Sequence, residues 1–169
     1  MKSLIDSGNF DSVVVYQDHV YAARYVDYDE PRDVRVYKHS GGWTKVHSFK
    51  VISGFITLSV QNNQVKCCSR DEHKIAVYSL TGQLLQTHGS YGSGDAGQFK
   101  YPYTCGDDDD GSMLIADYNN DRLQVMSKQG EFSVLQLQPP VSRPRGAVLF
   151  NNNLYVTSQD KQTVCKYSS

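Results

Sequence analysis

The feature that most constrains this chain is a strand–turn–strand unit that recurs four times. The stretch "LIADYNNDRLQVMSKQG", residues 114–130, lies without a gap over "KCCSRDEHKIAVYSLTG", residues 66–82, with Arg122 on Lys74, Leu123 on Ile75, Val125 on Val77 and Gly130 on Gly82. A third copy, "LYVTSQDKQTVCKY" (154–167), fits with one extra residue in its turn, and a fourth, "VYAARYVDYDEPRDVRVY" (20–37), has a longer turn around Pro31. Taking Val34, Ile75, Leu123 and Val164 as equivalent gives spacings of 41, 48 and 41 residues. Each copy reads as two apolar strands around a polar turn.

Every copy is preceded by a further apolar strand and a tight turn. The turns are Gln17-Asp18-His19, Gln61-Asn62-Asn63, Asp107 to Gly111 and Asn151-Asn152-Asn153, built from residues suited to short hairpins. Another strand follows in "WTKVHSFKV", "QLLQTH" and "FSVLQLQ". The unit is therefore four antiparallel strands in about 40 to 48 residues, the size of a propeller blade. The chain is expected to be all-β, a propeller or partial propeller of about four blades. Their approximate extents are 10–52, 53–89, 98–138 and 144–169, within one domain, 1–169. The last blade runs out of sequence after its third strand. Residues 1–9 are spare, and Lys2 to Asp6 are expected to supply the missing outer strand if the ring closes.

The third copy carries a family resemblance. "GSGDAGQFKYPYTCGDDDDGSMLIADYNNDRLQVMSKQGEF" resembles an NHL repeat through Gly97, Phe99, Pro102, Asp110, Gly111, Ala116, Asp117, Asn119, Asn120, Arg122, Leu123, Val125 and Gly130. The other copies are degenerate: Asp117 becomes Ser69, Thr157 or Arg24, and Arg122 becomes Lys74, Thr163 or Asp33, while Pro144 and Gly146 restore part of the pattern in the fourth. The whole is similar to the C-terminal propellers of tripartite-motif proteins. That resemblance implies a non-catalytic module that recognises a protein, as substrate or adaptor in a ubiquitin-ligase-like setting, with RNA as the alternative ligand.

Charge and composition narrow the chemistry. Lys plus Arg at 17 against Asp plus Glu at 18 leave a formal charge of -1, so no global field advertises nucleic acid or an acidic surface. No apolar run reaches the roughly 18 residues that span a bilayer, and "MKSLIDSGNF" lacks the apolar core of a signal peptide, so a cytoplasmic chain without membrane contact is expected. Cys67, Cys68, Cys105 and Cys165 form no C-x-x-C pair and read as small packing residues. His19, His39, His47, His73 and His88 show no zinc spacing. No cofactor, metal or small-molecule substrate is evident, and an axial-metal lyase or lactonase is the third reading.

Candidate residues follow from position. The Asp107–Asp110 run lacks the spacing of a calcium loop and reads as a hairpin turn. Asp117 and Arg122 flank one turn and are expected to bond to each other within the blade. The glycines of "GSYGSGDAG", residues 89–97, read as a flexible inter-blade connection. Trp43 reads as outer-strand packing. Loops on one rim gather Arg70, His73 and Lys74 in the second blade, Lys100, Tyr101 and Tyr103 in the third, and Arg143 and Arg145 in the fourth. These eight residues are the candidate binding surface, since Arg, Lys and Tyr contact phosphates and stack on unpaired bases or side chains.

Overall fold

A computed structural model of the chain describes residues 8–25, 32–108 and 110–168. The expected closing strand, Lys2 to Asp6, and the Pro31 turn lie outside the described residues. Among the described residues run seventeen strands and one short 3-10 helix, Tyr118–Asn120, and the chain divides into two compact units, Met1–Thr87 and His88–Ser169.

The first unit holds the strands β1 Phe10–Tyr16, β2 His19–Arg24, β3 Asp33–His39 and β4 Trp43–Lys50, hydrogen-bonded in chain order. A second sheet, β5 Ile56–Gln61, β6 Gln64–Ser69, β7 Lys74–Ser79 and β8 Leu84–His88, repeats that order. Side chains alternate across a strand, and β1 shows the consequence. Val14 and Tyr16 pack toward the core shared by the two sheets, while Val13 and Val15 are 64% and 66% exposed. That core interleaves Val34, Val36 and Tyr21 of the first sheet with Ile56, Leu58, Val65 and Cys67 of the second. Cys67 and Cys68, on opposite faces of β6, are both fully buried, because both faces of a central strand are covered. Trp43 packs on Val20, Ala22 and Tyr37 from the outer strand, as expected.

The second unit opens with the parallel pair β9 Ser90–Tyr91 and β10 Gln98–Phe99. A four-stranded sheet follows: β11 Pro102–Asp107, β12 Met113–Asp117, β13 Arg122–Met126 and β14 Phe132–Leu135. The last sheet is three-stranded, β15 Pro144–Phe150, β16 Asn153–Ser158 and β17 Thr163–Ser168.

The strand register sharpens the repeat. Val34, Ile75, Leu123 and Val164 are each the second residue of the third strand of their sheet. The residue that closes the preceding strand is Arg24, Ser69, Asp117 or Ser158, paired with Asp33, Lys74, Arg122 or Thr163. The equivalent of Asp117 in the fourth sheet is thus Ser158, not Thr157. Its turn is four residues long, as in the second and third copies, with no extra one. His73, Asp121 and Gln162 close those three turns with positive φ, of 57°, 52° and 49°. Ser69 and Ser158 also do the same work, their hydroxyls donating to Ser53 O at 2.7 Å and Ser142 O at 2.9 Å. The hairpin turns of the second and fourth sheets tighten to two residues, Asn62-Asn63 and Asn151-Asn152, left-handed at both positions, the type I′ pattern.

One equivalence breaks in burial. Val34, Ile75 and Leu123 are fully buried, whereas Val164 is 65% exposed. This register position faces the following sheet in the first and third copies, and among the described residues no sheet follows the fourth.

Candidate functional site

Two polar constellations stand out in the second unit, and they do different work. The first is the Asp117 hub at the end of β12. Its buried carboxylate accepts four hydrogen bonds: Oδ1 from the Lys100 amide at 2.7 Å, and Oδ2 from Asn120 Nδ2, Arg122 Nε and Gln124 Nε2 at 2.8, 2.9 and 2.9 Å. The donors also reach the glycine-rich segment. Arg122 donates to the carbonyls of Gly94, Asp95 and Gln98, Asn120 to that of Gly92, and Gln124 Oε1 accepts from Gly97 N–H at 2.8 Å. A buried charge is tolerated only when it is paired and hydrogen-bonded, and here that requirement ties residues 92–98 to the blade. The segment expected to be a flexible connection is instead bolted to the sheet. Gln124, fully buried and central to this arrangement, was invisible in sequence because it occupies an alternating strand position with no turn or glycine to mark it. The expected Asp117–Arg122 bond is present, at 2.9 Å.

The second constellation lies where β11 and β15 begin. Arg145 stands over two rings, its guanidinium carbon 5.5 Å from the Tyr103 centroid and 5.4 Å from that of Tyr118. Arg143 lies 5.9 Å from the Tyr118 centroid, and the two tyrosines meet edge to face at 6.0 Å. Three of the expected residues, Tyr103, Arg143 and Arg145, therefore converge, joined by Tyr118. That tyrosine sits in the repeat's own turn, and a turn aromatic beside Asn-Asn was the signal available for it. Asp121 and Asp160 complete the group. Asp121 Oδ1 accepts the Arg143 amide at 2.7 Å, Asp160 lies 3.5 Å from the Arg143 guanidinium, and Ser142 donates to Asp160 at 2.8 Å. Tyr118 Oη donates to Gln159 at 2.9 Å.

Backbone geometry presents these side chains. Tyr101 and Arg143, each just before the proline that opens a strand, hold φ of 56° and 42°. Bulky residues seldom adopt such angles, and they concentrate at functional positions. Tyr101 is 40% exposed, and Lys100 stands 5.7 Å from the Tyr91 centroid.

In the first unit, Arg70 pairs with Asp71 at 2.9 Å and lies over Phe55, His73 closes a turn, and Lys74 opens β7 with its side chain exposed. Asp71 in turn accepts the Phe55 amide, and Glu72 binds Ser53. This end of the second sheet is a knot of local hydrogen bonds.

The acidic run behaves as a turn. Asp110 accepts the Ser112 amide at 2.8 Å, which holds its carboxyl below the ordinary range, and Asp108 and Gly111 close the hairpin by backbone bonds. Among the described residues no three His, Cys, Asp or Glu side chains converge as a metal site, no helix is long and apolar enough to cross a membrane, and no disulfide joins any of the four cysteines. Cys105 and Cys165 are only partly covered, in contrast to the buried pair on β6.

No protein-family model matches the chain, and no curated protein matches it. Solved structures do, and they are β-propeller proteins. An auxiliary nutrient binding protein from Bacteroides ovatus shares 15% identity over 98% of this chain and 49% of its own, with a TM-score of 0.74. BamB from Moraxella catarrhalis shares 18% over 93% of this chain and 42% of its own, at 0.63. Virginiamycin B lyase from Staphylococcus aureus shares 12% over 95% and 55%, at 0.62. The chain thus spans about half the length of each, and the likeness is one of fold: all-β, of the propeller type.

Proposed function

We propose that this chain is a non-catalytic recognition module, a single propeller-type domain that binds a protein partner through loops at one end of its sheets. The observation that carries the reading is the convergence of Tyr103, Tyr118, Arg143 and Arg145 on a strand end. Arginine and tyrosine supply large contact area with little conformational freedom to lose, and they dominate binding energy at protein interfaces. Asp160 pairs with Arg143 and Asp121 lies beside the Arg143 amide, so acidic and basic groups are mixed in the patch. An aromatic patch of mixed charge suits a polypeptide with its own acidic and aromatic groups better than a phosphate backbone, which draws its affinity from unopposed positive charge.

The third-blade motif supports an NHL-type identity and, by resemblance, a ubiquitin-ligase-like setting in the cytoplasm. RNA is the second reading, favoured by the exposed Tyr101 and by Lys100 over Tyr91, which offer a stacking platform beside a cation. A lyase is the competing class, and metal analysis of the purified protein decides it, with stoichiometric zinc or calcium reviving it.

Selection of a displayed random peptide library on the purified chain tests the proposal. Enriched peptides are expected to lose roughly tenfold or more in affinity on R145A or Y118A. No enrichment, together with binding of a random single-stranded RNA pool that weakens steeply with salt, replaces the protein reading with the RNA one.

A further inference from the structure

A cleft of about 580 Å³ opens between the third and fourth sheets, at the end of the strands opposite the tyrosine–arginine cluster. It arises because the two sheets meet unevenly. Toward the start of β11 the contact is closed, with Ala116, Leu123 and Val156 fully buried. Toward the far end, Leu114, Val125 and Leu135 of the third sheet face Leu149 and Leu154 of the fourth without reaching full burial, and Leu149 stays 56% exposed. The register explains the pairing: Leu114 and Val125 are cross-strand partners on one face, as are Leu149 and Leu154. Among the described residues the fourth sheet has three strands, and none lies opposite β14. These five side chains, with Ala147 and Val148, therefore line a concave space that also carries Asp107 and Asp108 from one sheet and Asn151 and Asn152 from the other. A cleft of this size, apolar with a few polar groups, has the build of a small-ligand site.

We infer that this cleft binds an apolar organic cation, an alkyl or aryl ammonium whose hydrocarbon fills the aliphatic walls and whose charge rests at Asp107 and Asp108. The apolar walls would be served by any hydrocarbon, and the acidic pair selects the charge. The site is separate from the proposed partner surface and does not depend on it.

Cys105 lines the cleft and supplies a reporter. Its thiol is partly covered, and desolvation pushes its pKa up to about 11, so alkylation is slow. In a Cys165→Ser background, with Cys67 and Cys68 buried, iodoacetamide reads Cys105 alone. Hexyltrimethylammonium, hexanol and hexanoate are then titrated by calorimetry and against the alkylation rate. The cation is expected to bind saturably at one site, to slow alkylation, and to outrank hexanoate by roughly tenfold at low salt. Replacing Asp107 and Asp108 by Asn should erase that preference while leaving hexanol binding unchanged. Hexanol binding also shows that the variant keeps the cleft. Absence of saturable binding by all three probes, or equal binding of hexanoate and the cation, overturns the inference.

Discussion

Replacing Asp117 with Asn isolates the charge at the centre of the third sheet. The carboxylate is fully buried and receives one donor on Oδ1 and three on Oδ2. An asparagine that keeps its carbonyl toward the Lys100 amide turns an N–H₂ group on Asn120, Arg122 and Gln124, three donors facing a donor. The Arg122 guanidinium, only 15% exposed, then loses its counter-ion. Breaking one member of a buried, hydrogen-bonded pair costs about 3–5 kcal/mol. For a chain of this length that is a fall in melting temperature of roughly 6–20 °C. The loss should also be local in origin: the Gly97 amide, bonded to Gln124, should exchange with deuterium much faster in the variant. Circular dichroism melts and amide exchange read the two effects. A variant within about 1 kcal/mol of the parent, with Gly97 still protected, would refute the view that this carboxylate organises the segment from Gly92 to Gln98.

Gly82 and Gly130, equivalent in the repeat, hold φ of 91° and 87°, and an added Cβ would lie 2.3 Å from Phe49 and 2.4 Å from His88. G82A and G130A should each cost about 2–3 kcal/mol in urea unfolding, and values near zero would show that the rings move aside freely. Ser69→Ala and Ser158→Ala each remove a hydroxyl that bonds a loop carbonyl. The fully buried Ser69, which also accepts the Glu72 amide, should lose more, about 1–2 kcal/mol. Burial holds the His88 imidazole below the ordinary 6.5, so the unfolded chain binds that proton more readily. The folded state therefore loses stability as pH falls through 6.5 toward the lowered folded value, and H88Q should flatten this slope in denaturant melts at about pH 5 to 7.

Much of the architecture was legible in the chain itself. The spacing of Val34, Ile75, Leu123 and Val164 located the third strand of every sheet, because a four-stranded blade repeats both its strand period and its turn length. Asp117 and Arg122 announced their bond by flanking one turn. What the sequence could not carry was everything set by neighbours in space. Thr157 and Ser158 are adjacent in sequence, and only strand register decides which of them takes the place of Asp117. The glycines from 89 to 97 have the composition of a loose linker, yet side chains 20 or more residues away hold the segment down. Val164 keeps the apolar identity of its equivalents and is exposed because burial depends on what lies opposite, which no local pattern encodes. The same holds for the sites. Arg143, Arg145 and Tyr103 were visible as residue types near strand starts, while their meeting over Tyr118 follows from how β11 and β15 pack. The aliphatic cleft was hidden altogether, since Leu114, Val125, Leu135, Leu149 and Leu154 read as ordinary core positions. Only the uneven approach of two sheets leaves that space unfilled.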